Sequence, residues 1–267
     1  MYLDSLEKMN PEEREKVIRE RNEMLPITIN ATDLDDAWFQ VINCIMRYGH
    51  YYGIQRGSYE GSGRIELDSS TINIIDPGSG PLVPHMPDSL GIPAPCEEDY
   101  VREQYFPQYL FGNIKSGNEQ YTYGERINQP ISDEHLGETM TQLEWAIKML
   151  RDTPQTNQAT IEIACPEDIT ARDPESHHPD PPCLRLLDFR VRYGKLHVFP
   201  YFRSWDAWSG FPANLGGIEL LKQYMADEIG IENGSIFAFS KGLHIYNHVE
   251  KAVRIRLHMD EREEANT

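Results

Sequence analysis

Four short blocks in the last third of the chain carry side chains able to do chemistry. Pro181-Pro182-Cys183 sets a thiol behind two residues of fixed φ, at the entrance to an apolar run. Once ionised, a thiol is a nucleophile; otherwise it behaves as a small buried hydrophobe. Tyr201-Phe-Arg-Ser-Trp-Asp206 places the Arg203 guanidinium beside the Ser204 hydroxyl. That pairing suits an anion, and equally an ion pair at a strand end. In Gly210-Phe-Pro-Ala-Asn214 the amide lies one turn inside a helix that Pro212 starts. It can cap, or it can read a base edge with one donor and one acceptor. Gly242-Leu-His-Ile-Tyr246-Asn-His248 reads as extended, so His244 and Tyr246 share a side. Taken singly, each block is unspecific.

The blocks lie far apart in sequence and need a scaffold to bring them together. Leu184 to Arg192 and Leu196 to Phe202 read as strands joined by the turn Tyr193-Gly194-Lys195. A helix after Pro212 carries Leu215, Ile218, Leu220, Leu221 and Tyr224 on its apolar side, and Ser235 to Ser240 is a further strand. Upstream, Pro11 and the acids after it suit a first helical turn. A second helix follows Asp33, with Leu34, Ala37, Trp38, Val41, Ile42, Ile45 and Met46 at helical spacing. Thr71 to Ile75 is a short strand. Helices are expected near 97–111 and 133–151, and Gly-, Ser- or Pro-rich loops over 52–70, 76–96 and 165–182. Unequal helices interleaved with strands make the class α+β. The division expected is a helical extension at 1–32, a main domain at 33–258 and a charged tail at 259–267.

The chain has 267 residues, 43 acidic and 25 basic, for a formal charge of −18. With 39% hydrophobic and 25% charged residues it belongs with folded globular chains that have room for a core. No apolar run approaches the ~18–20 residues that span a bilayer. Met1-Tyr-Leu-Asp-Ser-Leu-Glu7 shows no basic-then-apolar leader, so a cytoplasmic protein is expected. The acidic balance argues against nucleic acid and membrane surfaces as partners. Cys44, Cys96, Cys165 and Cys183 form no CxxC pair, so neither a zinc ribbon nor a thioredoxin motif is expected, and no metal is expected. Cys44 and Cys165 read as buried hydrophobes. His177-His178 reads as solvated loop, and Trp205, Trp208, Tyr105, Tyr109 and Phe111 as wall or core.

In order, the four blocks resemble the thymidylate synthase family. Cys183, Arg203, Asn214 and His244 stand twenty, eleven and thirty positions apart, as that family's pattern requires. Tyr123-Gly124 resembles its Tyr-Gly block. The resemblance covers roughly 181–250 strongly, extends over 121–164 and is thin before 120. It implies an α+β sandwich whose large twisted mixed sheet packs against helices and pairs with a second subunit, giving a homodimer. It implies a pyrimidine nucleotide substrate of the dUMP type and 5,10-methylene-tetrahydrofolate, or a related reduced pterin, as one-carbon donor.

The resemblance also assigns roles. Cys183 would add to C6 of the base, and the carbanion-like C5 would take the one-carbon unit. Arg203 would activate the thiol and hold the phosphate with Ser204. Asn214 would read O4 and N3–H of uracil; related cytosine hydroxymethylases carry Asp there. His244 and Tyr246 would hold the sugar hydroxyl, Asp206 with Gly210 would bind the pterin, and Tyr123 would serve the water network that moves the C5 proton. Glu103 is the expected general base, and Arg56, or else Arg64, a phosphate ligand from the Gly-rich loop. The family's partner-subunit arginine pair aligns with Asn157-Gln158, amides that donate without charge, and the residue after the nucleophile is Leu184. About twenty residues follow His248, which leaves no counterpart for the family's C-terminal folate cap. Two further readings stay open on the same residues. A site admitting water would yield a 5-hydroxymethyl pyrimidine nucleotide, and a non-catalytic homologue would bind nucleotide without turnover.

Overall fold

The computed structural model describes residues 6, 8–21, 23–55, 59–115, 121–131, 139–168 and 181–259. Two sheets and a set of helices build the molecule, and most of the fold serves to set the ends of a few strands side by side.

The larger sheet runs in the order β1 (Pro26–Ala31), β4 (Ser69–Ile74), β9 (Glu232–Ser240), β7 (Lys195–Phe202), β6 (Leu184–Arg192), β5 (Thr160–Glu162). Its pairings are mixed, with β1–β4 and β7–β9 parallel and the others antiparallel. One face is apolar and buried: Ile72, Ile74, Ile236, Ala238, Val198, Leu187 and Phe189 alternate along their strands with less buried residues. The other face is less buried and aromatic where β7 meets β9. Phe199 stacks on Phe237 at 5.1 Å and Tyr201 on Phe239 at 5.5 Å.

The β6–β7 hairpin matters most for the site. Arg192 pairs with Lys195, leaving Tyr193 and Gly194 as a two-residue turn with both φ positive, at 54° and 74°. That is the turn whose twist matches paired strands. The register then runs to Leu184 opposite Phe202, so Cys183 and Arg203 emerge together.

The smaller sheet runs β2 (His50–Gly53), β3 (Gly63–Glu66), β10 (Leu243–Tyr246), β8 (Trp205–Asp206). Strand β3 lies inside 52–70, where the Gly/Ser composition predicts a loop, and β2 runs into its start. Gly63 is glycine for a packing reason: a Cβ there would stand 2.1 Å from the Tyr51 hydroxyl across the ladder. Strand β1 likewise falls inside the segment expected as a helical extension, and its alternation of buried and exposed residues seats it on β4.

Helix α1 (Pro11–Glu20) is capped by Asn10 and carries Pro at its start. Helix α2 (Leu34–Tyr48) is capped by Asp33 and buries Leu34, Ala37, Trp38, Val41, Ile42 and Ile45, the stripe read from the sequence. Fully buried Trp38 donates its indole N–H to the Ala207 carbonyl at 3.0 Å, tying α2 to the loop after β8. Helix α3 (Glu98–Tyr100) continues as a π-helix, Val101–Leu110, with Pro107 inside it. Helix α4 (Tyr123–Ile127) opens on a Thr122–Glu125 capping box, and α5 (Gln142–Asp152) on a Thr141–Glu144 box. The latter starts later than the expected 133, and 132–138 lie outside the described residues. The long α6 (Gly210–Ile229) is buried on several sides. Gly217 lets the Tyr105 ring press on it: a Cβ there would stand 2.7 Å from Tyr105 Cε1. Helix α7 (Asn247–Arg256) closes the described chain. No helix among the described residues is long and apolar enough to cross a membrane.

Candidate active site

Cys183 sits half-buried at the mouth of β6, in no disulfide. The Arg203 backbone N–H donates to the Cys183 carbonyl at 2.9 Å. The Arg203 side chain turns onto the same loop: Nε donates to the Pro181 and Pro182 carbonyls at 3.1 and 3.2 Å, and Nη2 to Pro181 at 2.5 Å. The guanidinium therefore clamps the segment that presents the thiol, and three of its five N–H groups have no partner among the described residues, so they could meet an anion. Ser204 follows, half-buried, where Gly242 allows close approach; a Cβ at Gly242 would lie 3.1 Å from the Arg203 carbonyl oxygen.

Five tyrosines cluster beside the thiol. Ring centroids step from Tyr100 to Tyr105 (6.2 Å), Tyr105 to Tyr109 (5.4 Å), Tyr109 to Tyr123 (5.2 Å) and Tyr123 to Tyr121 (6.0 Å). The Tyr123 hydroxyl accepts from the Leu184 backbone N–H at 3.3 Å, next to the nucleophile position. Burial pushes the Tyr123 phenol well up, with Tyr105, Tyr121 and Cys183 adding to it. Burial, with Cys183 next in size, pushes Tyr121 up to about 12. At neutral pH Tyr121 and Tyr123 are therefore neutral O–H groups, donors rather than bases. Among them Tyr123 is the one expected from the sequence; Tyr105 and Tyr109 read as core because a phenol within an apolar helix shows no partner in sequence.

Asn214, on the second turn of α6, has both ends of its amide engaged. Its Oδ1 accepts from Trp205 Nε1 at 2.9 Å and its Nδ2 donates to the Tyr105 hydroxyl at 2.6 Å. Trp205 is buried and stacks flat on Phe202 at 3.9 Å. An amide oxygen accepts two bonds and an NH₂ donates two, so one acceptor and one donor remain for a ligand.

On β10, His244 lies between two acids. It pairs across the ladder with Glu66 of β3 on one side and Asp206 of β8 on the other. Its Nδ1 lies 2.9 Å from the Gly242 carbonyl, which fixes Nδ1 as the N–H and leaves Nε2 as an acceptor. Nε2 is buried without a hydrogen-bond partner among the described residues. Burial lowers the imidazole to about 4, so it is neutral at physiological pH. Tyr246 packs edge-on against His244 at 4.6 Å. Burial, then Asp206 and Cys183, push its phenol up to about 12. Arg64 pairs with Glu66 at 2.8 Å, and burial raises the Glu66 carboxyl. Sequence reasoning missed Glu66, which has no motif and is placed only by the β3–β10 register.

Asp206 accepts three backbone N–H bonds, from Trp208 at 3.0 Å on Oδ1 and from Ser209 and Gly210 at 3.2 and 3.1 Å on Oδ2. It thus caps the start of α6, and Oδ1 keeps one acceptor site. Gly210 packs closely here, since a Cβ would stand 3.3 Å from Asp206 Cβ.

The structure brings Cys183, Tyr123, Arg203, Asn214, Asp206, Gly210, His244 and Tyr246 into one neighbourhood, with Ser204 on its chain. Other expected residues stand apart. Glu103 is exposed on the π-helix, and its carbonyl accepts from Gln108 Nε2 at 3.2 Å. Asn157 and Gln158 are exposed in the turn between α5 and β5, at the edge of the larger sheet. Arg56 and His177-His178 lie outside the described residues. Cys165 departs from the buried-hydrophobe expectation: it is half-buried and its sulfur accepts from Arg126 Nη1 at 2.6 Å, beside Asp168. Among the described residues no group of three or more His, Cys, Asp or Glu is placed to hold a metal ion.

The comparisons with known proteins agree with one another. The family model described as "Thymidylate synthase" matches residues 98–266. A "Putative thymidylate synthase" of Methanosarcina acetivorans is 28% identical over 220 residues, covering 82% of this chain and 89% of that one. A protein of the same description from Methanococcoides burtonii is 28% identical over 230 residues, covering 85% and 94%. Among solved structures, the thermostable thymidylate synthase A from Bacillus subtilis superposes with a TM-score of 0.63 at 18% identity, covering 86% of each chain.

Proposed function

The chain belongs to the thymidylate synthase family, and from that premise we propose that it methylates C5 of a uracil nucleotide, converting a dUMP-type substrate to its thymine counterpart. The observation that carries this reading is the convergence on Cys183 of groups from four separate blocks. The chemistry needs a nucleophile for C6, because C5 of uracil attacks an electrophile only after C6 has been saturated. The Cys183 thiolate forms the C6–S bond, and its electron pair pushes density to C5. Asn214 faces the O4–N3 edge with its remaining donor and acceptor. O4 gains negative charge during the addition, so the Nδ2 donor favours the transition state over the ground state. His244 Nε2 and the Tyr246 phenol suit a sugar hydroxyl: the first accepts its proton, the second donates to its oxygen. Tyr123, neutral and hydrogen-bonded beside Cys183, belongs to the path by which the C5 proton leaves.

The remaining acceptor of Asp206 and the faces of Tyr109 and Tyr121 fit a planar, N–H-rich heterocycle such as a reduced pterin. Bound there, methylene-tetrahydrofolate supplies the one-carbon unit and the reducing hydride. Phosphate falls to the spare N–H groups of Arg203, with Ser204 beside it and Arg64 as the nearest further cation on the Glu66 side. Glu103 stays proposed as general base despite its exposure. Asn157, Gln158 and Arg56 stay proposed as phosphate contacts, the first two across a homodimer. The aromatic outer face of the larger sheet, with Phe239 40% exposed, supports that dimer. A cytoplasmic location is part of this proposal.

The test is a reaction with C5-tritiated dUMP and methylene-tetrahydrofolate. Tritium release and a product gaining a methyl group are expected. Release with a hydroxymethyl product would replace methylation by hydroxymethylation. Tight dUMP binding with no release would leave a binding protein and end the enzyme reading.

A further inference from the structure

We infer that Trp205 and Tyr105 are positioning residues that lock the Asn214 amide in one orientation and thereby give the site its preference for uracil over cytosine. The inference rests on the reading of Asn214 as the base-contacting side chain.

An amide is nearly symmetric in shape, and rotation by half a turn exchanges its donor and acceptor. Uracil offers a donor at N3 and an acceptor at O4. Cytosine offers the reverse, an acceptor at N3 and a donor at its 4-amino group. A freely rotating asparagine can therefore satisfy either base and discriminates poorly between them.

Here rotation is blocked at the Trp205 end, while the Tyr105 hydroxyl holds the other end of the amide in place. Trp205 Nε1–H is a donor with no acceptor capacity, and it lies 2.9 Å from Asn214 Oδ1. Turning the amide would set an NH₂ against an N–H, leaving both buried donors unpaired. The indole cannot swing away to relieve this, since it is buried, stacked 3.9 Å from Phe202 and packed 4.6 Å from Phe211. Tyr105 completes the clamp at 2.6 Å on Nδ2. Its own position is set by Gly217, which leaves room for the ring against α6. Burial keeps the Tyr105 phenol protonated far above neutral pH, so its side of the clamp does not change with pH.

Because the lock acts on orientation, its signature is a ratio rather than an activity. Calorimetric binding of dUMP and dCMP to the intact protein, to Trp205→Phe and to Tyr105→Phe reads it directly. The parent should bind dUMP at least about tenfold more tightly than dCMP, the cost of one mispaired buried group. Trp205→Phe should bring the ratio to within about threefold of unity, and Tyr105→Phe should reduce it by less. A change that merely loosens the fold weakens both nucleotides together and leaves the ratio alone. If Trp205→Phe fails to fold, Tyr105→Phe, which removes one oxygen, decides. A parent without uracil preference, or variants that keep it, would overturn the inference. Tritium release by the parent reports separately on catalysis, so an inactive protein with an intact, Trp205-dependent preference would sink the methylation and leave the lock standing.

Discussion

The two ends of the site are built differently. At the base end, three side chains have fixed partners within the same chain: Asn214 between Trp205 and Tyr105, His244 Nδ1 on the Gly242 carbonyl, Tyr123 on the Leu184 amide. At the proposed phosphate end, Arg203 spends two of its five N–H groups on the Pro181 and Pro182 carbonyls, while Asn157 and Gln158 stand exposed at a sheet edge. The base end is preorganised by packing, whereas the phosphate end needs something further, a second subunit or the ligand itself, to complete it. With a formal charge of −18 the chain repels an anionic nucleotide at long range. In the proposed reading, recognition rests on the base, with phosphate a secondary handle.

Substitutions can break this contrast, and the largest effect belongs to the point where the two ends meet. Cys183→Ala should abolish C5 tritium release, a loss on the order of 10⁵-fold or more, while nucleotide binding in calorimetry stays within a few fold. Arg203→Ala should cost more than a phosphate contact alone, because it frees the loop that presents the thiol. A drop of about 100-fold in kcat is expected alongside a rise in KM, and it should persist with unphosphorylated deoxyuridine. A loss confined to phosphorylated substrates would show that Arg203 serves phosphate alone.

The contrast can also be sharpened. Asn157→Arg with Gln158→Arg should restore charge at the phosphate end and lower KM for dUMP by about tenfold, leaving deoxyuridine unchanged. Steady-state kinetics on both substrates reads the difference, and equal effects on the two would place these residues elsewhere. The last effect is absent at neutral pH. Folded His244 has its pKa lowered to about 4 from the ordinary 6.5. Between those values the unfolded chain binds a proton that the folded chain does not, so stability falls as pH drops through that window. His244→Gln should flatten this part of the denaturation profile by an amount on the order of 1–3 kcal/mol at pH 4. An unchanged slope would show that the imidazole is not buried in its neutral form.

The sequence was informative where local rules acted alone. The β6–β7 hairpin was legible because Tyr193-Gly194 marks a tight turn between alternating runs, and α2 because its apolar stripe recurs at helical spacing. Strands β2 and β3 were hidden by the glycine- and serine-rich composition around them, and the role of Gly63 is set by Tyr51 on the neighbouring strand. The π-helical form of 101–110 has no local signature in the chain. The same division holds in the site. Cys183, Asn214 and His244 stand out as polar residues at the ends of apolar runs, in a recognisable order. Trp205 and Tyr105 look like core until their N–H and O–H partners are known, and those partners lie nine and 109 positions away. Glu66 meets His244 only through strand register.

The central claim is that Cys183 bonds to C6 of a uracil nucleotide. Elimination of the thiolate requires C5 to lose its substituent as a cation, which hydrogen can do and fluorine cannot, so a 5-fluoro-dUMP substrate must stall with the carbon–sulfur bond intact. Intact-mass analysis of the protein with 5-fluoro-dUMP and methylene-tetrahydrofolate, followed by peptide mapping, tests the claim most directly. The account predicts one nucleotide adduct per chain, carried by the peptide containing Cys183 and lost in Cys183→Ala. Absence of an adduct, or its appearance on Cys96 or Cys165, would contradict it.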